Sequence, residues 1–350
     1  MSDSYPTVRA AAVQAAPVFL DRERTVAKAC DLIREAGANG ARIVAFPESF
    51  VPAHPIWFHF HSATGAISTR LSVELFKNAV EVPGPEVDEL RAAARDAQAY
   101  VAIGVCEKLP DTLGTLFNTQ VYLGPDGSYL GKHQKLVPTL GERLVHSGGY
   151  GDTLGVFPTE FGPASGLICG ENSNPLAIFA LTANHTRVHM MSWPNLFSRT
   201  SRPICNRVLI DSQAFAQMSK AFVVSAVGVL DEHAIATLEL TDEDAEFVRR
   251  PDTCGGSVIV APDSSVIAGA LGSEEAILYG DLDLERGIAL KLRHDFSGHY
   301  NRPDIFQVRV NRGVPSLYRE VVTTAHERVE VAANGPLSPV EAQANPADAV

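Results

Sequence analysis

The run Gly166-Leu167-Ile168-Cys169-Gly170-Glu171-Asn172 is a short apolar strand that delivers a cysteine into a glycine turn ahead of a helix, the place where a thiol nucleophile would stand. A cysteine attacks as the thiolate, so it needs a base and a positive field beside it. Two other segments supply such groups. Val44-Ala45-Phe46-Pro47-Glu48-Ser49-Phe50 is a hydrophobic strand running into a proline and a carboxylate. Lys132-His133-Gln134-Lys135-Leu136-Val137-Pro138-Thr139 ends a strand in a lysine before an apolar pair and a proline. Taken singly, each has a plainer reading: Cys169 as a buried thiol, Glu48 as a surface carboxylate, Lys135 as a strand-end lysine that snorkels to water. Glu142, beside Arg143, reads alone as half of a loop salt bridge. The joint occurrence of the first three argues for a base, a positive charge and a nucleophile.

The elements that must position them alternate. Residues 9–14 read as a small-residue strand, followed by a helix over about 24–38 that sets Val26, Cys30 and Ile33 on one face. The continuous apolar run Ile43-Val44-Ala45-Phe46 is a strand covered on both faces. A helix near 85–98 opens with proline and acidic residues, and a strand over 100–105 follows it. Pro125-Asp126-Gly127 joins strands 118–123 and 128–132 as a hairpin. The second half continues with strands at 166–168, 188–192, 222–227, 257–261, 265–268 and 277–281, and helices near 175–184 and 203–220. Mixed hairpins and crossover helices in both halves predict an α/β fold of layered sheets with helices outside. The acidic stretch 239–246 reads as a solvated loop or short helix.

Composition sets the bounds. A chain of 350 residues with 45% apolar residues can bury a sizeable core, as one large domain or two. The net charge of −12 disfavours nucleic acid and anionic membrane as partners. No apolar run approaches the ~18 residues of a membrane span, and the polar start, Met1 to Thr7, has no leader pattern, so a cytoplasmic protein is expected. Cys30, Cys106, Cys205 and Cys254 have irregular spacing and no Cys-x-x-Cys pair, and read as structural. His54, His59 and His61 lie in an aromatic segment that reads as a loop against the core, with no metal expected. The prolines at 336, 339 and 346 mark residues 331–350 as a disordered tail.

Glu48 in Phe-Pro-Glu, Lys135 in Lys-Leu-Val-Pro-Thr and Cys169 in Cys-Gly-Glu-Asn resemble, in context and in order, the Glu-Lys-Cys triad of the nitrilase superfamily of carbon–nitrogen hydrolases. The resemblance runs from about Val8 to about Phe306 and is closest to the nitrilase branch, through Glu142 in Gly-Glu-Arg, the Ser192-Trp193-Pro194 strand end and residues 298–304. It implies an αββα sandwich of two mixed β-sheets with helices on the outer faces, as a single domain over residues 1–310 with a C-terminal extension over 311–350. It further implies catalytic roles for Glu48, Lys135, Cys169 and Glu142, and a substrate pocket at Gly170, Trp193, Pro194 and Trp57. No cofactor and no metal are implied. The expected reaction is hydrolysis of an organic nitrile to the acid and ammonia through a thioimidate and a thioester on Cys169. Amide or carbamoyl-amine hydrolysis with the same triad, cyanide hydration and a non-catalytic assembly role are the alternatives. Homo-oligomers, as dimers or spirals built from dimers, are also implied. The chain departs from the family in Gly170, where tryptophan is common, and in Pro52-Ala53-His54-Pro55, where many relatives carry a Pro-Gly-Tyr-Pro run.

Overall fold

The computed structural model describes residues 3–196, 203–269, 271–316 and 318. The expected disorder of 331–350 lies outside the described residues. By compactness the chain divides into a unit over Met1–Val314 and a second over Pro315–Val350.

In chain order the first unit runs β1 (Thr7–Gln14), α1 (Arg22–Ala38), β2 (Ile43–Ala45), α2 (Ala66–Asn78), α3 (Pro85–Ala97), β3 (Tyr100–Lys108), β4 (Leu116–Leu123), β5 (Tyr129–Gln134) and β6 (His146–Ser147). It continues with β7 (Val156–Phe157), β8 (Ala164–Ile168), α4 (Pro175–Ala183), β9 (Val188–Trp193), α5 (Ile204–Ser219) and β10 (Phe222–Val227). Then come α6 (Glu232–Thr237), α7 (Asp242–Arg249), β11 (Val258–Val260), β12 (Val266–Gly269), β13 (Ala276–Asp283) and α8 (Arg286–Arg293). Local chemistry sets the boundaries. The Asp21 side chain accepts from Arg24 N–H to cap α1, Pro85 opens α3, and Gln98 closes α3 in the left-handed region.

One sheet has the order β13-β1-β2-β3-β4-β5 with β6 beside β4; the other has the order β12-β11-β10-β9-β8-β7. Both are mixed. In the first, β1, β2 and β3 are parallel while β13, β4 and β5 join antiparallel; in the second, β8, β9 and β10 are parallel with antiparallel neighbours outside. Strand alternation divides the core into layers. Along β3, Val101, Ile103 and Val105 face α1 and α3 with Val26, Ile33 and Leu90, whereas Tyr100 and Ala102 face inward. The inward layer joins Ala10, Ala12 and Tyr122 of one sheet to Met190, Phe222 and Val224 of the other. Behind the second sheet, Ile178, Val208 and Phe215 of α4 and α5 pack on Leu167, Met191 and Val223. These four layers are the αββα sandwich anticipated from the sequence.

The acidic stretch is a helix rather than a loop: α7 is capped by Thr241 and buries Ala245 and Val248 against Phe60 and Leu240. Helix α2 has no counterpart in the sequence reading, since only Ser68, Leu71 and Leu75 are buried and its apolar stripe is narrow.

Candidate active site

The carboxyl ends of the parallel strands β2 and β8 lie at one edge of the sandwich, where open α/β sheets expose groups to ligands. Glu48 follows β2. Its backbone N–H donates to the Trp193 carbonyl of the opposite sheet (3.1 Å), and Ser192 Oγ donates to the Phe46 carbonyl (2.8 Å), so the two sheets are stitched together at this edge. Gly104 of β3 passes directly beneath; a Cβ there would stand 2.2 Å from the Pro47 carbonyl oxygen, and only glycine permits the approach. Cys169 follows β8 and opens a short 3-10 turn, Cys169–Ser173, with φ of +53°. Ser49 (φ +46°) and Leu140 (φ +53°) are likewise left-handed, so each of the three site segments carries a non-glycine residue in a costly backbone region.

Six buried side chains form one polar network. Lys135 Nζ donates to Glu48 Oε1 (2.6 Å) and to Glu142 Oε1. Asn118 Nδ2 donates to both carboxylates, at 2.6 Å to Glu48 Oε1 and 2.9 Å to Glu142 Oε2. His146 Nδ1 donates to Glu142 Oε2 (3.2 Å), which leaves its Nε2 as an acceptor for the Cys106 thiol at 3.3 Å. Glu142 also accepts from Thr139 N–H (2.6 Å), closing the turn Leu140–Leu144. Glu48 Oε2 alone among these carboxylate oxygens is buried without a partner. It is the lone pair left for a proton.

The electrostatics follow from two carboxylates and one ammonium in a dry site. Burial pushes the Glu48 carboxyl up to about 7; Lys135 opposes the rise and the Glu142 charge adds to it. Burial also opposes ionisation of Glu142, but the Lys135 charge and the hydrogen bond from His146 overcome it and hold this carboxyl well below the usual range. Lys135 stays protonated, because its burial is outweighed by the Glu48 and Glu142 carboxylates. Burial and the Glu48 charge raise the Cys169 thiol well above its ordinary value, while Lys135 and the Gly170 N–H pull the other way. The resting pair is therefore a neutral thiol with an acceptor carboxylate, and the thiol proton leaves as the sulfur attacks.

Glu48, Lys135, Glu142, Cys169 and Pro194 line one cleft, together with His54, His59, Thr139, Leu140 and Leu196. Its free volume is about 20 Å³, space for about one water molecule. The sequence reading expected Trp193 and Trp57 to line it as well. The structure corrects this: both rings are wholly buried. Trp193 packs in the same apolar cluster as Cys169, so it backs the nucleophile, and Trp57 packs with Leu71, Leu75 and Leu196 behind the cleft. A Cβ on Gly170 would meet only Thr139 Oγ1, at 3.8 Å, so this glycine is not forced by packing.

Sequence reasoning missed Asn118, His146 and His54. The His54 ring lies beside the base, its Nδ1 3.8 Å from Glu48 Oε1, and burial lowers its pKa to about 3, so it stands neutral. Glu48, His54 and Glu142 place donor atoms close enough for an ion, but the cation these carboxylates hold is the Lys135 ammonium. In the sequence Glu171 stands only as part of the Cys-Gly-Glu-Asn run, with no mark of a role of its own. Its carboxylate accepts from Ile168 N–H (3.0 Å), Leu136 N–H (2.7 Å) and His133 Nε2 (3.0 Å), tying the segment after Lys135 to the turn that carries Cys169.

This fold and site define a class. The carbon-nitrogen hydrolase family model matches residues 9–291, and the chain belongs to that family. It is similar to a nitrilase of Bacillus sp. (strain OxB-1), with 33% identity over 93% of this chain and 94% of the relative. An arylacetonitrilase of Aspergillus niger is 32% identical over 92% of this chain and 98% of its own length. Among solved structures, a Saccharomyces cerevisiae member of branch 10 of the nitrilase superfamily shares the fold, with a TM-score of 0.62 and 17% identity over 84% of this chain and 97% of that one.

Proposed function

We propose that this carbon–nitrogen hydrolase is a nitrilase: it hydrolyses an organic nitrile to the carboxylic acid and ammonia through covalent intermediates on Cys169. The observation that carries the reading is the unpartnered Glu48 Oε2 in the same buried cleft as Cys169 and the Lys135 ammonium, in a chain similar along almost its whole length to nitrilases. The thiol adds across the C≡N bond; sulfur bonds to carbon and the thiol proton passes through Glu48 to nitrogen, giving a thioimidate. A water activated by Glu48 adds to that carbon, Lys135 and the Gly170 N–H stabilise the tetrahedral species, and nitrogen takes a further proton and leaves as ammonia. A second water attacks the thioester, releasing the acid and restoring the thiol. Glu142 supports the reaction by fixing Lys135, and with Asn118 it sets the basicity of Glu48. Residues of the chain supply every step.

The relative named for arylacetonitriles, together with Phe58 and Phe60, which pack in the same apolar cluster as the cleft residue Leu196, supports an apolar, aryl-bearing nitrile as substrate. We read residues 1–310 as the catalytic domain, and a cytoplasmic setting from five cysteines that are all free. Exposed Leu176, Ile210 and Met218 on α4 and α5 support a homo-oligomer, which light scattering on the purified chain tests. The decisive experiment is ammonia release from aryl, arylalkyl and aliphatic nitriles, the matching amides and cyanide, with Cys169→Ala in parallel. Release from nitriles that vanishes in the variant is the expected result. Release from amides alone makes the protein an amidase, and release that survives Cys169→Ala removes the thiol mechanism.

A further inference from the structure

At the opposite edge of the sandwich, where β9 and β10 begin, lies a second and larger cavity of about 280 Å³. The six residues of β9 separate the two edges, about 20 Å at ~3.3 Å per residue. Tyr5, Phe222, Leu284 and Ile288 give this cavity apolar walls, Arg187, Lys220 and Lys291 give it cationic ones, and the His185 imidazole also lines it. Its one carboxylate, Asp295, is already engaged by Lys291 Nζ (3.2 Å) and by Ser297 Oγ (2.6 Å).

Arg187 and Lys220 remain without a counter-charge among the described residues. Arg187 Nη1 donates to the Phe161 carbonyl (3.4 Å) and its guanidinium lies 5.6 Å from the Tyr5 ring centroid. Lys220 follows α5 in the left-handed region, is 7% exposed, and donates from Nζ to the Gln217 carbonyl at 2.7 Å. That bond serves the helix end, as lysines often do there, but a carbonyl carries no full charge. Partial burial of this ammonium draws its pKa down, a cost that an anion in the cavity beside it would offset. The setting is also out of keeping with a chain whose net charge is −12, since here cations gather around a single, spent carboxylate.

We infer that this cavity is a binding site for a small organic carboxylate, its anionic head between Arg187 and Lys220 and its apolar body against Phe222, Leu284 and Ile288. Guanidinium and ammonium donors fit a carboxylate, and the mixed walls select an acid with a hydrophobic substituent over an inorganic anion. The acids made by the proposed reaction have this chemistry, and the choice of probe rests on that reading; the site does not, because binding is measured without turnover.

The test is calorimetric titration of the full-length Cys169→Ala protein with phenylacetate, with the neutral 2-phenylethanol and with inorganic phosphate, repeated after adding Lys220→Met or Arg187→Met. The expected result is one saturable phenylacetate site, weakened about tenfold or more by either substitution, with the alcohol and phosphate binding at least tenfold more weakly. Thermal melting of each variant, and its ammonia release with Cys169 restored, are expected to match the parent. The two substitutions act from different elements, so a fold defect in one leaves the other as the test. Phenylacetate affinity indifferent to both substitutions, or absent in the parent, overturns the proposal. So does phosphate binding as tightly as phenylacetate, which makes this a plain anion hollow. If nitriles prove not to be substrates while phenylacetate still needs Lys220, the proposed function fails and this site stands.

Discussion

Glu48 and Glu142 share a single ammonium, yet their carboxyls move in opposite directions, and the difference lies in their remaining partners. Glu142 collects donors from Thr139, Asn118 and His146, while Glu48 keeps one oxygen bare. The consequence is a base poised to titrate near neutrality. Since Glu48 works in its ionised form and its carboxyl sits at about 7, kcat/KM is expected to rise with pH through that value. Two variants move this limb in opposite directions. Glu142→Gln removes a charge that raises the Glu48 carboxyl and frees more of Lys135 for it, so the limb shifts to lower pH, by about one unit or more. Asn118→Leu removes a hydrogen bond that favours the Glu48 anion, so the limb shifts to higher pH. A pH–rate profile of each variant checks both signs, and a common shift in either direction rejects this account of the pair. The reactive trio was legible because proline and glycine punctuate the ends of its apolar strands. Asn118 was not, since an asparagine within Phe117-Asn118-Thr119 carries no local mark; it reaches both carboxylates only because its strand lies between β3 and β5.

At the scale of elements, the site depends on how three strand ends are held in register. Glu171 does much of this by joining the Leu136 and Ile168 backbones through one carboxylate. Glu171→Gln turns an acceptor into a partial donor facing backbone N–H groups, which loses about 1.5–3 kcal/mol for each charged bond broken. The expected outcome is a fall in kcat of about 10–100-fold with KM little changed, because Lys135 and Cys169 drift apart while the cleft walls stay. Steady-state kinetics separates this from a binding defect. The turn that Glu171 braces also carries Gly170, whose backbone does not demand glycine and whose would-be Cβ has room. Gly170→Trp should therefore fold with an unchanged melting temperature and narrow substrate choice toward slender nitriles; a large loss of stability would mean that the glycine is structural. Most elements were legible from period and punctuation. Where a strand's side chains point was less so: Trp193 looked like a pocket residue from its place beside Pro194, but alternation along β9 sends its ring into the layer beneath α5.

The molecule as a whole divides its chemistry between two sheets, with Glu48 and Lys135 after strands of one and Cys169 after a strand of the other. No local pattern announces that division. The pairing of β1 with β13, from Thr7 against Asp283 onward, joins the two ends of the hydrolase unit and emerges only from the fold. Beyond this pairing the compact unit continues through α8 to Val314. A chain truncated after that residue is expected to keep its activity per site and to melt within about 4 °C of the full protein, a change of under about 1 kcal/mol. A larger drop would place residues 315–350 in the structural core.

The bonds from Glu48 to the Trp193 carbonyl and from Ser192 to the Phe46 carbonyl have a mechanical meaning as well. They make the spacing of the two halves a property that catalysis reads directly. A base on one plate and a nucleophile on the other work only at one separation, so a slight parting of the plates silences the enzyme while nearly all secondary structure survives. Rising urea should accordingly abolish turnover at concentrations where far-ultraviolet dichroism is still native, and the gap between the two midpoints measures how much looser the seam is than the leaves it joins.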